Sequence, residues 1–270
     1  MKNSKHRIPL VEWLNLFTFL HFVSLPLWVS CSTQLYIYYV FLILCLSSNK
    51  IVGGSTVNIS RYPFLVALLV ARDGVNYRQS CGASIINTRA VLTAAHCMTG
   101  AARQFRIRAG SSTASSGGRV YNVNNLIIHP NYHQFTLNND IGVVRLSTSL
   151  SLGGNVRVGR FAHANYNAAD NQVVWAFNGR PSENLRHVQL WTVNQNTCRN
   201  VYGSIIVQNM ICAGPRAAGN GVCTQDSGGP LLHNNNIIGV VSFSGNCGLP
   251  QYPGVYARVS RYSSWIQSNS

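Results

Sequence analysis

Beyond residue 60 the chain is a succession of short apolar runs rich in Val, Ile, Leu and aromatic residues, cut by clusters of Gly, Asn, Ser and Pro. FLVALLV (64–70), ASIINTRAVLTA (83–94), QFRIRAG (104–110), RVYNVNNLIIH (119–129) and IGVVRL (141–146) form a first set. QVVWAF (172–177), HVQLWTV (187–193), NMICAG (209–214), GPLLHNNNIIGVVSFS (229–244) and GVYARV (254–259) form a second, which begins after about Val156. None carries a sustained 3.6-residue repeat, so the pattern predicts an all-β barrel or sandwich. Only the end, SRYSSWIQSNS (260–270), suits a helix, with Ser260 or Ser263 as its N-cap.

Residues 1–50 read differently. Lys2, Lys5 and Arg7 precede apolar sequence whose densest piece is LYIYYVFLILCL (35–46). Its 12 residues fall short of the about 20 that a membrane span needs; they fit a signal-peptide core, with Cys45 and Ser47 as small residues for cleavage. The expected division is a leader over 1–47 and a secreted chain after it. The alternative is an uncleaved N-terminal membrane anchor.

Charge narrows the setting. Lys2, Lys5 and Lys50 are the only lysines, and from Ile51 onward the chain holds 17 arginines against five acids, Asp73, Asp140, Asp170, Glu183 and Asp226. A guanidinium (pKa above about 12) stays charged where an ammonium (about 10.4) does not, so the bias predicts tolerance of strongly alkaline fluid, such as an alkaline gut lumen, through arginine ion pairs and surface charge. The arginines are scattered singly and form no nucleic-acid recognition motif, which excludes that partner class. Asn58, Ile59 and Ser60 make one glycosylation sequon. His129, His133, His163, His187 and His233 are isolated and read as surface or core residues; no metal-ligand cluster and no cofactor motif is present.

Of eight cysteines, Cys31 and Cys45 lie in the leader, and the remaining six point to an oxidising compartment. Spacing alone leaves about 15 connectivities open.

Four blocks then carry the chemistry: IVGG (51–54), LTAAHC (92–97), NNDIGVVRL (138–146) and GVCTQDSGGP (221–230). In this order they resemble the chymotrypsin-like serine endopeptidases, and the likeness runs from Ile51 to Ser270. WTVNQNTCR (191–199) and YPGVYARVSRYSSWI (252–266) further resemble digestive members from insect larvae. The resemblance implies two six-stranded antiparallel β-barrels, over about 51–155 and about 156–270, with a C-terminal helix and the active site in the cleft between them. It pairs Cys81 with Cys97, Cys198 with Cys212, and Cys223 with Cys247.

A serine hydroxyl is a poor nucleophile near neutral pH unless a base sits within hydrogen-bond reach and a third group orients that base. The resemblance makes His96 the general base and acid, Asp140 its orienting acceptor and Ser227 the nucleophile, with the backbone N–H groups of Gln225 and Ser227 as the oxyanion hole. Lys50 before IVGG resembles a zymogen cleavage site for a trypsin-like protease, so 48–50 would be a short activation peptide. The freed amine of Ile51 would then pair with Asp226, because a buried carboxylate without a partner is costly. The substrate pocket is implied at Gly221, Val222, Ser242, Phe243, Ser244 and Gly254. Gly221 stands where trypsin-like members have aspartate, so no carboxylate awaits a Lys or Arg, and an apolar or aromatic P1 residue is expected. Ser244, in place of a glycine usual in wide pockets, is expected to narrow the entrance.

Two departures fall in one neighbourhood. Gln225 replaces the glycine that usually precedes the aspartate, and WAFNGRPSENLRHV (175–188) is shorter than the corresponding loop of relatives. Two readings follow. One is a secreted, monomeric, digestive endopeptidase, made as a zymogen, acting on proteins and peptides and checked by protein inhibitors. The other is a catalytically silent homologue acting as a binding or regulatory protein. Retention of His96, Asp140 and Ser227 together favours the first.

Overall fold

The structure, a computed structural model, describes residues 53–177, 183–223 and 226–270. Lys50, Ile51 and Gln225 lie outside the described residues, as does the leader.

Among the described residues there are fourteen strands, twelve of which build two barrels. The first barrel comprises β2 (Leu65–Val70), β3 (Arg78–Ile85), β4 (Ala90–Thr93), β5 (Phe105–Ala109), β6 (Arg119–Ile128) and β7 (Gly142–Leu146), closed in the order β2-β3-β4-β7-β6-β5. Closure leaves no edge strand, and alternate side chains fill the interior. In β5, Phe105, Ile107 and Ala109 are buried while Arg106 and Arg108 stand outside. The second barrel comprises β9 (Val173–Phe177), β10 (Arg186–Val193), β11 (Met210–Gly214), β12 (Pro230–His233), β13 (Asn236–Phe243) and β14 (Gly254–Arg258). It runs β9-β10-β11-β14-β13-β12 and returns to β9. Two short strands are added to it, β1 (Ser55–Thr56) on β10 and β8 (Arg160–Phe161) parallel to β13. The all-β, two-barrel expectation therefore holds, and β1 belongs to the second barrel although it precedes the first in the chain.

One contiguous apolar core spans both barrels, from Leu68, Ile85 and Ile107 to Val174, Leu231 and Tyr256. All three disulfides implied by the resemblance are formed. The long run 229–244 is a hairpin, β12 to β13, turned by Asn234 and Asn235 at φ 48° and 60°. Asparagine tolerates this left-handed backbone better than other residues with a Cβ.

Three expectations need correction. A second helix exists, α1 (Gln195–Tyr202), capped by Asn194, whose side chain accepts from the N–H groups of Asn196 and Thr197. At eight residues it shows too little repeat to be read from pattern alone. The C-terminal helix α2 (Ser263–Asn269) is capped by neither Ser260 nor Ser263. A 3-10 turn over Val259–Tyr262 runs directly into it, so Ser263 is already helical and its hydroxyl donates back to the Ser260 carbonyl. Finally, between described residues no arginine pairs with a carboxylate; the one contact of ion-pair geometry is His96 with Asp140.

Candidate active site

Strand β4 delivers the chain into a 3-10 turn, Ala95–Met98, that carries His96. Ala94 and Ala95 are fully buried, and Cys97 is tied to Cys81 on β3, so the turn is held on both sides. Asp140 lies at the mouth of β7 and is itself buried. Its Oδ1 accepts the backbone N–H of His96 at 2.9 Å, and its Oδ2 accepts Nδ1–H of the same residue at 2.7 Å. The Ser242 hydroxyl donates to Oδ2 at 2.5 Å. Three donors around one buried carboxylate satisfy its oxygens without exposure to water. A carboxylate on Nδ1 fixes the imidazole tautomer and leaves Nε2 as the free acceptor. The buried carboxylate also acts outward: together with burial, which is the larger effect, it pushes the Tyr132 hydroxyl up to about 12.

Asn139 sets the backbone ahead of Asp140. It adopts φ 56°, its amide donates to the Asn131 carbonyl at 2.7 Å, and its Oδ1 accepts from Asn209 at 3.0 Å and from the Tyr262 hydroxyl at 3.1 Å. The loop that presents Asp140 is thereby fastened to the second barrel and to the turn before α2. Sequence reasoning passed over Asn139, although an Asn pair before an Asp is a signal for a left-handed residue. It also missed the role of Ser242, expected as a pocket wall. Ser242 falls at an irregularity in the β13–β14 register, between Val241 and Phe243, and such bulges re-aim a side chain.

Ser227 is buried in a turn held by backbone hydrogen bonds to both barrels. Its carbonyl accepts Gly82 N–H at 2.9 Å, Gly228 N–H donates to Val241 at 2.9 Å, and Gly229 N–H donates to Asp226 at 3.2 Å. Gly228 has φ 77°, and a Cβ there would strike the Thr93 hydroxyl and the Gly82 carbonyl; the same point lies 3.3 Å from Cys97 Sγ. Only glycine fits this contact. Cys97 Sγ is in turn 3.8 Å from His96 Nε2. The serine turn and the histidine turn thus meet across the Cys81–Cys97 disulfide. Cys81, His96 and Cys97 converge as metal ligands would, but sulfurs in a disulfide offer no thiolate.

Asp226 is fully buried, and its Oδ2 accepts Cys223 N–H at 2.8 Å. In the pocket region, a Cβ on Gly254 would lie 2.5 Å from Val222 Cγ2, and a Cβ on Gly221 would lie 2.8 Å from Gly248 Cα. Val222 therefore packs onto Gly254, and the backbone of Gly248 occupies the space a side chain at Gly221 would fill. Ser244 is buried, with its hydroxyl 3.5 Å from the Val222 carbonyl. Phe243 packs edge-on to Tyr202, whose hydroxyl donates to Pro253 and accepts from Gly245 N–H, fastening the segment that follows the pocket wall. Beside Gly254, the Tyr256 hydroxyl is buried without a hydrogen-bond partner; burial, then Asp226 and Tyr202, hold its pKa well above that of an ordinary phenol.

The family profile described as Trypsin matches residues 51–266. The chain belongs to the trypsin family of serine endopeptidases. Among its relatives is "Trypsin, alkaline B" of Manduca sexta, 50% identical over 234 residues, covering 82% of this chain and 91% of the relative. "Trypsin CFT-1" of Choristoneura fumiferana is 48% identical over 247 residues, 84% of this chain and 96% of the relative. "Achelase-1" of Lonomia achelous is 42% identical over 236 residues, 82% and 100% respectively. As a trypsin-family enzyme the chain is a hydrolase of peptide bonds, with polypeptides as substrates and proteinaceous inhibitors as natural antagonists.

Proposed function

We propose that residues 51–270 form a secreted serine endopeptidase, made with a leader over 1–47 and an activation peptide over 48–50, and released by a trypsin-like protease cutting after Lys50. Ser227 Oγ attacks the scissile carbonyl carbon while its proton passes to His96 Nε2. The tetrahedral oxyanion is held by the backbone N–H groups of Gln225 and Ser227. Collapse breaks the C–N bond as His96 returns the proton to the leaving amine, and water then hydrolyses the acyl-enzyme by the reverse order of transfers. Asp140 keeps the imidazole oriented and stabilises its cation. Activation joins the new Ile51 amine to Asp226. The enzyme acts as a monomer in digestion, and relatives named alkaline trypsins support an alkaline working medium.

The observation that carries this reading is the His96–Asp140–Ser242 hydrogen-bond chain, buried at one end and placed against the Ser227 turn at the other. For the P1 residue we favour Phe, Tyr, Leu or Met. Support comes from Gly221, where no carboxylate stands, and from Val222, whose methyl lies against Gly254. The test is cleavage after Lys50 followed by titration with a fluorophosphonate. One mole of label per mole of chain, absent in Ser227→Ala, is the expected result. A folded, cleaved chain that takes up no label would instead be the silent homologue.

A further inference from the structure

We propose that the outer face of the first barrel, around Tyr77, is a docking surface for an extended acidic segment of a polypeptide substrate. Arg106 and Arg108 alternate with buried residues on β5, which places both guanidinium stems outside, about 6.8 Å apart along the strand. The Arg106 guanidinium lies 3.9 Å over the Tyr77 ring, and the Tyr77 hydroxyl donates to the Arg103 carbonyl at 2.8 Å. Arg78 follows Tyr77 on β3, two strands from β5, and Arg119 pairs with Ala109 at the end of β6. Arg78, Arg103 and Arg119 are exposed.

None of these five arginines reaches a carboxylate. Arg108 Nη1 and Nη2 donate to the Gly117 and Ser115 carbonyls and Arg119 Nη1 to the Ser151 hydroxyl, all neutral acceptors, while the Nε–H groups of Arg106 and Arg108 are buried with no acceptor among the described residues. The two acids in this neighbourhood are committed elsewhere. Asp73 accepts the N–H groups of Val75 and Asn76, and Glu183 accepts the N–H and hydroxyl of Ser115. A sheet face on which five guanidinium groups outnumber two carboxylates, neither of them within ion-pair reach, keeps a net positive field complementary to a polyanion.

An acidic polypeptide is the occupant that the geometry favours. In an extended peptide, alternate side chains recur at the same about 6.8 Å that separates Arg106 from Arg108. Arg78 lies three residues before Cys81, which is bonded to Cys97 beside His96, so the face begins about 10 Å along β3 from the cleft. A substrate in the cleft spans that gap with about three to five further extended residues. Docking then raises the local concentration of the scissile bond without new contacts at it. The inference rests on the cleft being catalytic.

The test uses the activated enzyme and matched fluorogenic peptides with one cleaved core, extended on either side by four Glu or four Gln. At about 20 mM salt the Glu form should be favoured at least fivefold in kcat/KM, and the preference should fall below twofold at about 0.5 M, where the Debye length is about 4 Å. Arg78→Gln and Arg106→Gln should each reduce it, while a three-residue substrate without extensions is cut at the wild-type rate. Arg78 makes no side-chain hydrogen bond, so its variant keeps the test sound should Arg106→Gln loosen Tyr77. Binding of the labelled Glu peptide to Ser227→Ala, read by anisotropy, is measured alongside and does not depend on turnover. Equal rates for the Glu and Gln forms at low salt, a preference that survives both variants, or no salt-sensitive binding to Ser227→Ala would each overturn the proposal. So would a face that binds single-stranded DNA or a sulfated glycan and not the Glu peptide. Failure of the catalytic reading is distinct: it appears as no cleavage of the short substrate.

Discussion

Replacing Gly221 by aspartate restores, on paper, the charge that would attract Arg or Lys, and the structure says that it will not work. A Cβ at this position would stand 2.8 Å from Gly248 Cα and 2.9 Å from Gly248 N. Both atoms are backbone, one residue beyond the Cys223–Cys247 disulfide, so no side-chain rotation can relieve the contact. Overpacking of this kind costs about 1–3 kcal/mol. A carboxylate entering a buried site adds several kcal/mol more until a cation pairs with it. At about 2–4 °C per kcal/mol for a domain of this size, Gly221→Ala should lower Tm by about 2–12 °C, and Gly221→Asp by more. The assays are thermal unfolding and kcat/KM on matched anilides with Phe, Leu or Arg before the scissile bond. Wild type should prefer Phe or Leu over Arg at least tenfold, and Gly221→Asp should not reverse the order. A Gly221→Asp enzyme with the wild-type Tm and a preference for Arg would refute the reasoning, because it would show open space where the structure has Gly248.

Asn139→Gly keeps the left-handed backbone and removes the amide bonds, so kcat should fall about tenfold with KM little changed; Asn139→Ala should add about 1–2 kcal/mol of backbone strain and unfold at lower temperature, and equal Tm values for the two would remove the argument. If residue 225 forms the oxyanion hole as proposed, Gln225→Gly should bind rigid protein inhibitors several-fold more tightly than wild type, because it removes a long side chain from that position; unchanged inhibition constants would count against it. Burial raises the hydroxyls of Tyr132, to about 12, and of Tyr262 and Tyr256. A phenol that stays neutral in the fold and ionises near pH 10 when unfolded contributes stability that is complete below about pH 10 and lost as pH climbs through the folded value. Circular dichroism should therefore hold to about pH 10 and fall with the appearance of tyrosinate absorbance, whereas unfolding below pH 9 would contradict it.

How much was legible depended on whether a feature is local. The all-β character follows from alternation and turns, which act over a few residues, and β5 shows the match at single-residue level; the division into two closed barrels came from the family resemblance. His96, Asp140 and Ser227 lie far apart in the chain, and no periodicity brings them together; the four motifs in order did so. Ser242 was assigned to the pocket because a bulge between two strands, and hence the direction of its hydroxyl, is decided by cross-strand register that the run IIGVVSFS does not reveal. Asn139 escaped because its three hydrogen-bond partners come from Asn131, Asn209 and Tyr262, two of them in the other half of the chain. The filling of the Gly221 site by Gly248 is likewise a contact between two backbones, invisible to any rule about side chains.

The arginines require a different physical account from the ion pairs that composition suggested. The few acids have other work: Asp140 and Asp226 are buried at the site, Asp73 and Glu183 bind backbone or Ser115, and Asp170 accepts from Asn194. The guanidinium groups turn to carbonyl oxygens instead. Arg145 Nε donates to the Asn269 carbonyl at 3.0 Å and holds the end of α2 on β7; Arg258 Nε donates to Met210 at 3.1 Å while its Nη2 donates to Gln195 at 2.9 Å; Arg89 donates to Ser147 at 2.9 Å. A planar fork can serve two acceptors at once, and a guanidinium as a class (pKa above about 12) outlasts an ammonium in alkali, although burial lowers the Arg258 guanidinium from its ordinary value. A lysine in the same place offers one flexible point charge that is lost near pH 10. On this account alkaline tolerance, if the chain has it, rests on bonds between arginine and backbone and should be removable one residue at a time. In Arg145→Lys and Arg258→Lys the Tm deficit relative to wild type should widen between pH 8 and pH 11. A deficit that stays constant over that range would show that only geometry was lost, and that the arginine bias has nothing to do with alkali.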